Sequence, residues 1–162
     1  MLLAACAAPV VETPSDTVVI SVIGTNDVHG ELVAREGKGG IVTFSGYVAA
    51  LRDARRDDGA VLLVDAGDMW QGTLESNLNE GAAVVKAYNA LGYDAATIGN
   101  HEFDFGPVGP KPIPTEAGDD PREVLKLRAT EASFPILSSN ILLKATGARI
   151  DWQNVSPSVL IE

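Results

Sequence analysis

Apolar residues in this chain fall into short runs, and each of the first three runs stops at a polar cluster. Thr17–Thr25 (TVVISVIGT) is β-branched and nearly continuous, which predicts a strand buried on both faces. Glu31–Gly40 reads as a glycine-rich loop. From Ile41 the apolar positions Ile41, Phe44, Val48 and Leu51 recur at helical spacing. The charged residues from Arg52 to Asp58 form a solvated helix end, and Gly59 closes the helix. Ala60–Asp65 predicts a second buried strand. Gly81–Leu91 carries Val84, Val85, Tyr88 and Leu91 at helical spacing with Gly92 as the stop, and Ala95–Ile98 predicts a third strand. The order β-loop-α-β-loop-α-β is that of an α/β fold on a parallel sheet with short crossovers.

After Gly106 the character changes. Pro107, Pro110, Pro112 and Pro114 make Pro107–Asp120 a stiff loop or insertion. Pro121–Ala132 predicts a helix with Asp119 or Asp120 as its N-cap and Pro121 in its first position. Phe134–Ser139 and Asn140–Leu143 read as further strand material, and Ser158–Glu162 as the start of another strand. A strand that opens without its partner leaves an unpaired edge, so the expectation is of a domain cut at Glu162.

A length of 162 residues suits one domain or part of a larger one, and 46% hydrophobic residues are enough for a sizeable core. No run approaches the roughly 18 apolar residues of a membrane-spanning helix. The net charge of −10 argues against nucleic acid as a partner, because backbone binding wants a basic face. A small phosphorylated substrate remains open, since bound divalent cations invert the local field. Cys6 is the single cysteine, so no intrachain disulfide can form. Its surroundings, Leu3-Ala4-Ala5-Cys6, resemble the bacterial lipobox, and Pro9–Asp16 reads as a tether. Residues 1–16 are therefore expected to be a lipoprotein signal remnant and tether, with the chain held at the cell envelope through a lipidated Cys6, and residues 17–162 to form the folded part.

The polar clusters carry the chemistry. Asn26-Asp27-Val28-His29-Gly30 follows the first strand, Asp65-Ala66-Gly67-Asp68 the second, and Gly99-Asn100-His101-Glu102 the third. Loops at one edge of a sheet build sites of this kind. Carboxylate, amide carbonyl and imidazole are ligands for a hard or borderline divalent cation, and an Asp bridging two ions allows a pair ~3.5–4 Å apart. Each cluster has a plainer reading by itself, as a turn or a surface pair, and only the ordered set at three strand ends overturns it. Asp65 is expected to hold loop backbone rather than metal, and Trp70 and Phe103 to pack beside the site.

The series Asp-x-His, Gly-Asp and Gly-Asn-His-Glu resembles the calcineurin-like metallophosphoesterase superfamily. Gln71-Gly72-Thr73, Asn89–Asp94, His101–Gly106 and Phe134–Ile141 extend the similarity to its 5′-nucleotidase branch. The resemblance implies the first half of a four-layer αββα sandwich and two divalent metal ions (Mn, Zn, Mg, Co or Fe). It implies Asp27 and His29 on the first metal, Asp68 bridging, and Asn100 on the second through its amide oxygen. His101 would act near the leaving group as general acid or transition-state stabiliser, with Asp104 orienting the imidazole. The role of Glu102 is left between a structural hydrogen bond and a catalytic part.

The implied activity is phosphoester hydrolysis on a small phosphorylated substrate, a nucleotide above all. Relatives acting on 2′,3′-cyclic phosphodiesters, sugar nucleotides and thiosulfate esters share the motifs. The family completes its site with later histidines, and this chain's only two are already used. The alternative is therefore a truncated or split-gene fragment without catalysis of its own, served by a complementing C-terminal chain, or a tethered protein with a vestigial site.

Overall fold

The computed structural model describes residues 17–109, 111 and 113–162. The proposed leader and Cys6 lie outside them. Five strands, β1 (Val19–Thr25), β2 (Gly59–Asp65), β3 (Ala95–Thr97), β4 (Ile136–Leu137) and β5 (Val155–Ser156), form one parallel sheet in sequential order. Between them lie α1 (Gly40–Ala54), the short α2 (Leu74–Asn77), α3 (Ala82–Leu91) and α4 (Glu123–Glu131). This is an α/β fold, as the run order predicts.

A parallel sheet built by stepping always in one direction, with right-handed crossovers, puts every crossover helix on the same face. Helices α1, α3 and α4 do pack side by side, α1 on α3 and α3 on α4. Under them lies the core of Leu63, Trp70, Val84, Tyr88, Leu125, Phe134 and Ile136. Among the described residues no helix covers the other face, and there Val18, Ile20 and Val22 are 74%, 66% and 64% exposed. The expectation of a first strand buried on both faces is thus corrected. Continuous β-branched sequence reports strand propensity on both faces but not which face is covered.

Other boundaries shift for local reasons. Gly59 does not close α1. The helix ends at Ala54, and Gly59 pairs with Val19 in the sheet, where a Cβ would lie 1.7 Å from the Val19 carbonyl oxygen. Arg52 is not merely solvated. Its guanidinium donates to the carbonyls of Leu91 (2.5 Å) and Gly92 (2.6 Å), satisfying the end of α3. Helix α4 starts at Glu123, with Arg122 rather than Asp119 or Asp120 preceding it and Pro121 outside it. Asp119 accepts the Thr115 and Glu116 N–H groups, and Asp120 pairs with Arg122 and Lys126. Burial pushes the Asp120 carboxyl up, but the Lys126 and Arg122 bonds outweigh it and hold it down at about 2.

Asn140–Leu143 forms no strand, only an isolated antiparallel bridge of Leu142 with Arg149, and residues 158–162 form none either. The last strand is β5, fastened by Asn154, whose amide donates to the carbonyls of Phe134 (2.8 Å), Ala129 (2.8 Å) and Ala132 (3.1 Å). No helix among the described residues is long and apolar enough to cross a membrane.

The two faces of the sheet should respond differently to truncation. Leu63→Ala, beneath the helices and fully buried, is expected to cost ~2–5 kcal/mol by chemical denaturation. Ile20→Ala, on the bare face, should stay within about 0.5 kcal/mol of the parent. Equal losses would contradict this assignment of faces.

Candidate metal centre

Strand register decides where the polar clusters meet. Thr25 pairs with Asp65 and Asp65 with Ala96, so β1, β2 and β3 release their loops at one edge. The β1 and β2 loops continue pairing beyond the strands. Asp27 N–H donates to Gly67 (3.0 Å), His29 N–H to Asp68 (3.0 Å) and Gly30 N–H to Met69 (2.9 Å), all at carbonyl oxygens. This laddered turn forces Asp27, His29 and Asp68 into left-handed backbone, at φ 51°, 50° and 56°. Asp and His are among the side chains that tolerate that region, at roughly 1 kcal/mol or more each. The β2 and β3 loops touch through glycines. A Cβ on Gly67 would meet the Gly99 nitrogen at 2.6 Å, and one on Gly99 would meet Asp68 Oδ1 at 2.2 Å.

On this frame His29, Asp68 and His101 converge, with their ligand atoms within 4.8 Å of one another. The two imidazoles stand edge to face, ring centres 4.8 Å apart. His29 Nδ1 lies 2.9 Å from the Gln71 carbonyl oxygen. A carbonyl can only accept, so Nδ1 is the donor, the tautomer of a neutral imidazole that offers the Nε2 lone pair to an ion. Asp68 Oδ1 accepts the His101 N–H at 3.0 Å, leaving Oδ2 uncommitted. Two imidazoles and a carboxylate are a fitting donor set for one divalent cation of the borderline kind.

Asp27 stands beside the cluster, its Oδ1 3.7 Å from His29 Nε2 and its other oxygen held by Asn26. Asn100 is exposed on the loop that carries His101. His101, expected near the leaving group, is thus brought into the donor cluster itself. It opens a short 3-10 turn, His101–Phe103, and its Nδ1 lies 2.6 Å from Asp104 Oδ2. That hydrogen bond raises the His101 pKa above its ordinary value, against a smaller opposing effect of desolvation.

Buried carboxylates brace the site from behind. Asp65 accepts the Gly67 N–H (2.8 Å), the Thr25 hydroxyl (2.5 Å) and the Tyr88 hydroxyl (2.8 Å), so it holds loop backbone as expected. Burial pushes its pKa up, and these bonds oppose the push. Tyr88 stacks on Tyr93, ring centres 3.9 Å apart, and Tyr93 reaches the Thr25 hydroxyl at 2.9 Å. Glu102 is almost fully buried and accepts backbone N–H groups from both the β2 and β3 loops. Burial raises its pKa as well, again opposed by those bonds. Trp70 packs in the core, whereas Phe103 is partly exposed. Sequence reasoning missed Gln71, which acts through its main-chain carbonyl and so leaves no side-chain signal.

A cleft of about 520 Å³ opens beside Asp27 and His29, walled by Val28, Val33, Ile41 and Phe44. Lys38 and Glu31, paired at 2.8 Å, also line it.

A parallel α/β sheet flanked by helices, with such donors at its strand ends, matches the calcineurin-like phosphoesterase architecture. The chain is 36% identical over 136 residues to the UshA protein of Escherichia coli K12, covering 83% of this chain and 22% of that one. It is 34% identical over 151 residues to a snake venom 5′-nucleotidase of Gloydius brevicauda, covering 87% and 22%. The solved NAD nucleotidase of Haemophilus influenzae superposes with a TM-score of 0.64 at 25% identity, over 85% of this chain and 23% of that one. No protein-family model matches. The chain is homologous to the calcineurin-like 5′-nucleotidase superfamily, and it spans about a quarter of the length of the relatives it matches.

Because Asp104 raises the His101 pKa, its contribution to stability is full below the ordinary value of 6.5 and fades as pH rises through the raised one. In the presence of a chelator, Asp104→Asn is expected to bring the imidazole titration, followed by NMR, down toward 6.5. An unchanged midpoint would show that Asp104 does not hold the proton.

Proposed function

We propose that this chain carries the ion-binding edge of a phosphoesterase that releases phosphate from nucleotides. The observation that carries this reading is the convergence of His29, Asp68 and His101 at the edge of a sheet homologous to that of the 5′-nucleotidases. Asp27, His29 and Asp68 would hold a first divalent ion, and Asp68 with Asn100 a second. Bound ions supply Lewis-acid polarisation of phosphoryl oxygens and activation of water.

The chain's own groups do the rest. Asp104 keeps a proton on His101 Nδ1 and favours the imidazolium, a form that would leave the ions to the other donors while its Nε2–H serves the leaving oxygen as general acid. The Gln71 carbonyl keeps His29 in the ligating tautomer. The cleft beside Asp27 and His29 offers apolar walls to the organic part of the substrate.

Residues 17–162 would be the N-terminal portion of the phosphoesterase domain, with the bare sheet face as the place for a second sheet. The motif around Cys6 supports a site outside the cell membrane, in the envelope, with a lipid tether. Only two histidines are present, which favours a second reading in which the chain binds ions but needs a complementing chain for turnover.

Manganese-dependent release of phosphate from AMP tests both. The first reading expects release that falls to background in Asp68→Asn. The second expects manganese binding, lost in the same variant, with no release. Release at equal rates from parent and variant would overturn both.

A further inference from the structure

Glu102 is only 1% exposed, and among the described residues no lysine or arginine pairs with it. Its two oxygens instead accept three backbone N–H groups. Oε1 takes Met69 at 2.8 Å, while Oε2 takes Asp68 at 2.9 Å and Gly99 at 2.6 Å. Asp68 answers across the same gap, its Oδ1 accepting the His101 N–H at 3.0 Å. Each loop thus lends a carboxylate to the backbone of the other.

The exchange has a consequence for the ion. Asp68 sits on the β2 loop and His101 on the β3 loop, and the strands beneath them pair over only two residue positions, Val64 with Ala95 and Asp65 with Ala96. Such a short ladder fixes the loops' separation weakly beyond the last pair. Glu102 bridges that interval with two bonds, to Asp68 and Met69, and anchors itself on its own loop by the third, to Gly99. It also commits the Asp68 main chain, so that the side chain spans to His101 by one oxygen and keeps the other free. A neutral isostere could not do this. A glutamine has one acceptor oxygen, and its amide nitrogen would face at least one N–H donor.

We propose that Glu102 is a positioning residue for the metal centre, clasping the backbones of the two loops so that the placement of the Asp68 ligand, and hence ion affinity, depends on a side chain that is not itself a ligand. The proposal rests on the metal-centre reading above. Partners one step behind a ligand typically change metal affinity by about 10–100-fold when removed.

The test uses the full chain, with Mn²⁺ as the probe, by titration calorimetry and by electron paramagnetic resonance of the free ion. Glu102→Gln is expected to keep its helical circular dichroism and cooperative unfolding while Mn²⁺ affinity falls by about 10–100-fold. Glu102→Asp, which keeps both acceptor oxygens on a shorter stem, should recover part of that loss. A merely structural role would lower the unfolding midpoint and leave affinity alone.

A folded Glu102→Gln with affinity within about twofold of the parent would overturn the proposal and leave the metal centre standing. A folded parent that binds no Mn²⁺ would overturn the metal-centre reading itself. Should neither variant fold, hydrogen exchange of the parent with Zn²⁺ decides. The Asp68, Met69 and Gly99 amides are expected to slow together on adding the ion, and exchange indifferent to it would overturn the clasp.

Discussion

Parallel pairing of Thr25 with Asp65 and of Asp65 with Ala96 is the constraint from which the rest of the structure follows. It brings three loop exits to one edge within two strand spacings. The β1 and β2 loops then extend the ladder past the strands, and the β2 and β3 loops come close enough for glycine alone at their contact. Two histidines about seventy residues apart in sequence end with their rings 4.8 Å from one another for this reason. A slip of one residue in the β1–β2 register would turn every side chain of the strand to the other face and take His29 away from Asp68.

The carboxylates around this edge divide by exposure. Asp27 is solvated and free to meet an ion, whereas Asp65 and Glu102 are buried and spent on backbone and hydroxyl donors. In a chain of net charge −10, several anionic groups gather here with no lysine or arginine pairing with Asp68 or Glu102 among the described residues. A divalent cation would offset that concentration of charge, so ion binding and the integrity of the edge are electrostatically linked.

Long features were legible in the sequence. Strands β1 and β2, helices α1 and α3, and the polar motifs at the strand ends all follow from periodicity and turn residues, because those elements are long enough to show a period. Among elements of two to four residues, β3 and β4 were placed by the apolar runs around them, whereas α2 and β5 carry no such run and were missed. The coverage of the sheet was also hidden, since Ile20 and Val22 look identical in sequence whether or not a layer lies over them. At the site, Asp27, His29, Asp68 and His101 stood out by type and spacing. The Gln71 carbonyl did not, and Glu102 disclosed its neighbourhood but not its three bonds. Backbone donors and acceptors belong to every residue alike, so only the folded chain shows which ones are used.

Asp27, His29 and Asp68 hold left-handed backbone angles that glycine would adopt without penalty. Drift toward glycine at these positions would relax the fold while deleting its donors. A lineage selected only for folding would therefore lose the site first, through substitutions that stabilise it. Each of the three thus sets a donor against the ease of the backbone that carries it, so a glycine there would relax the turn and empty the edge in the same step.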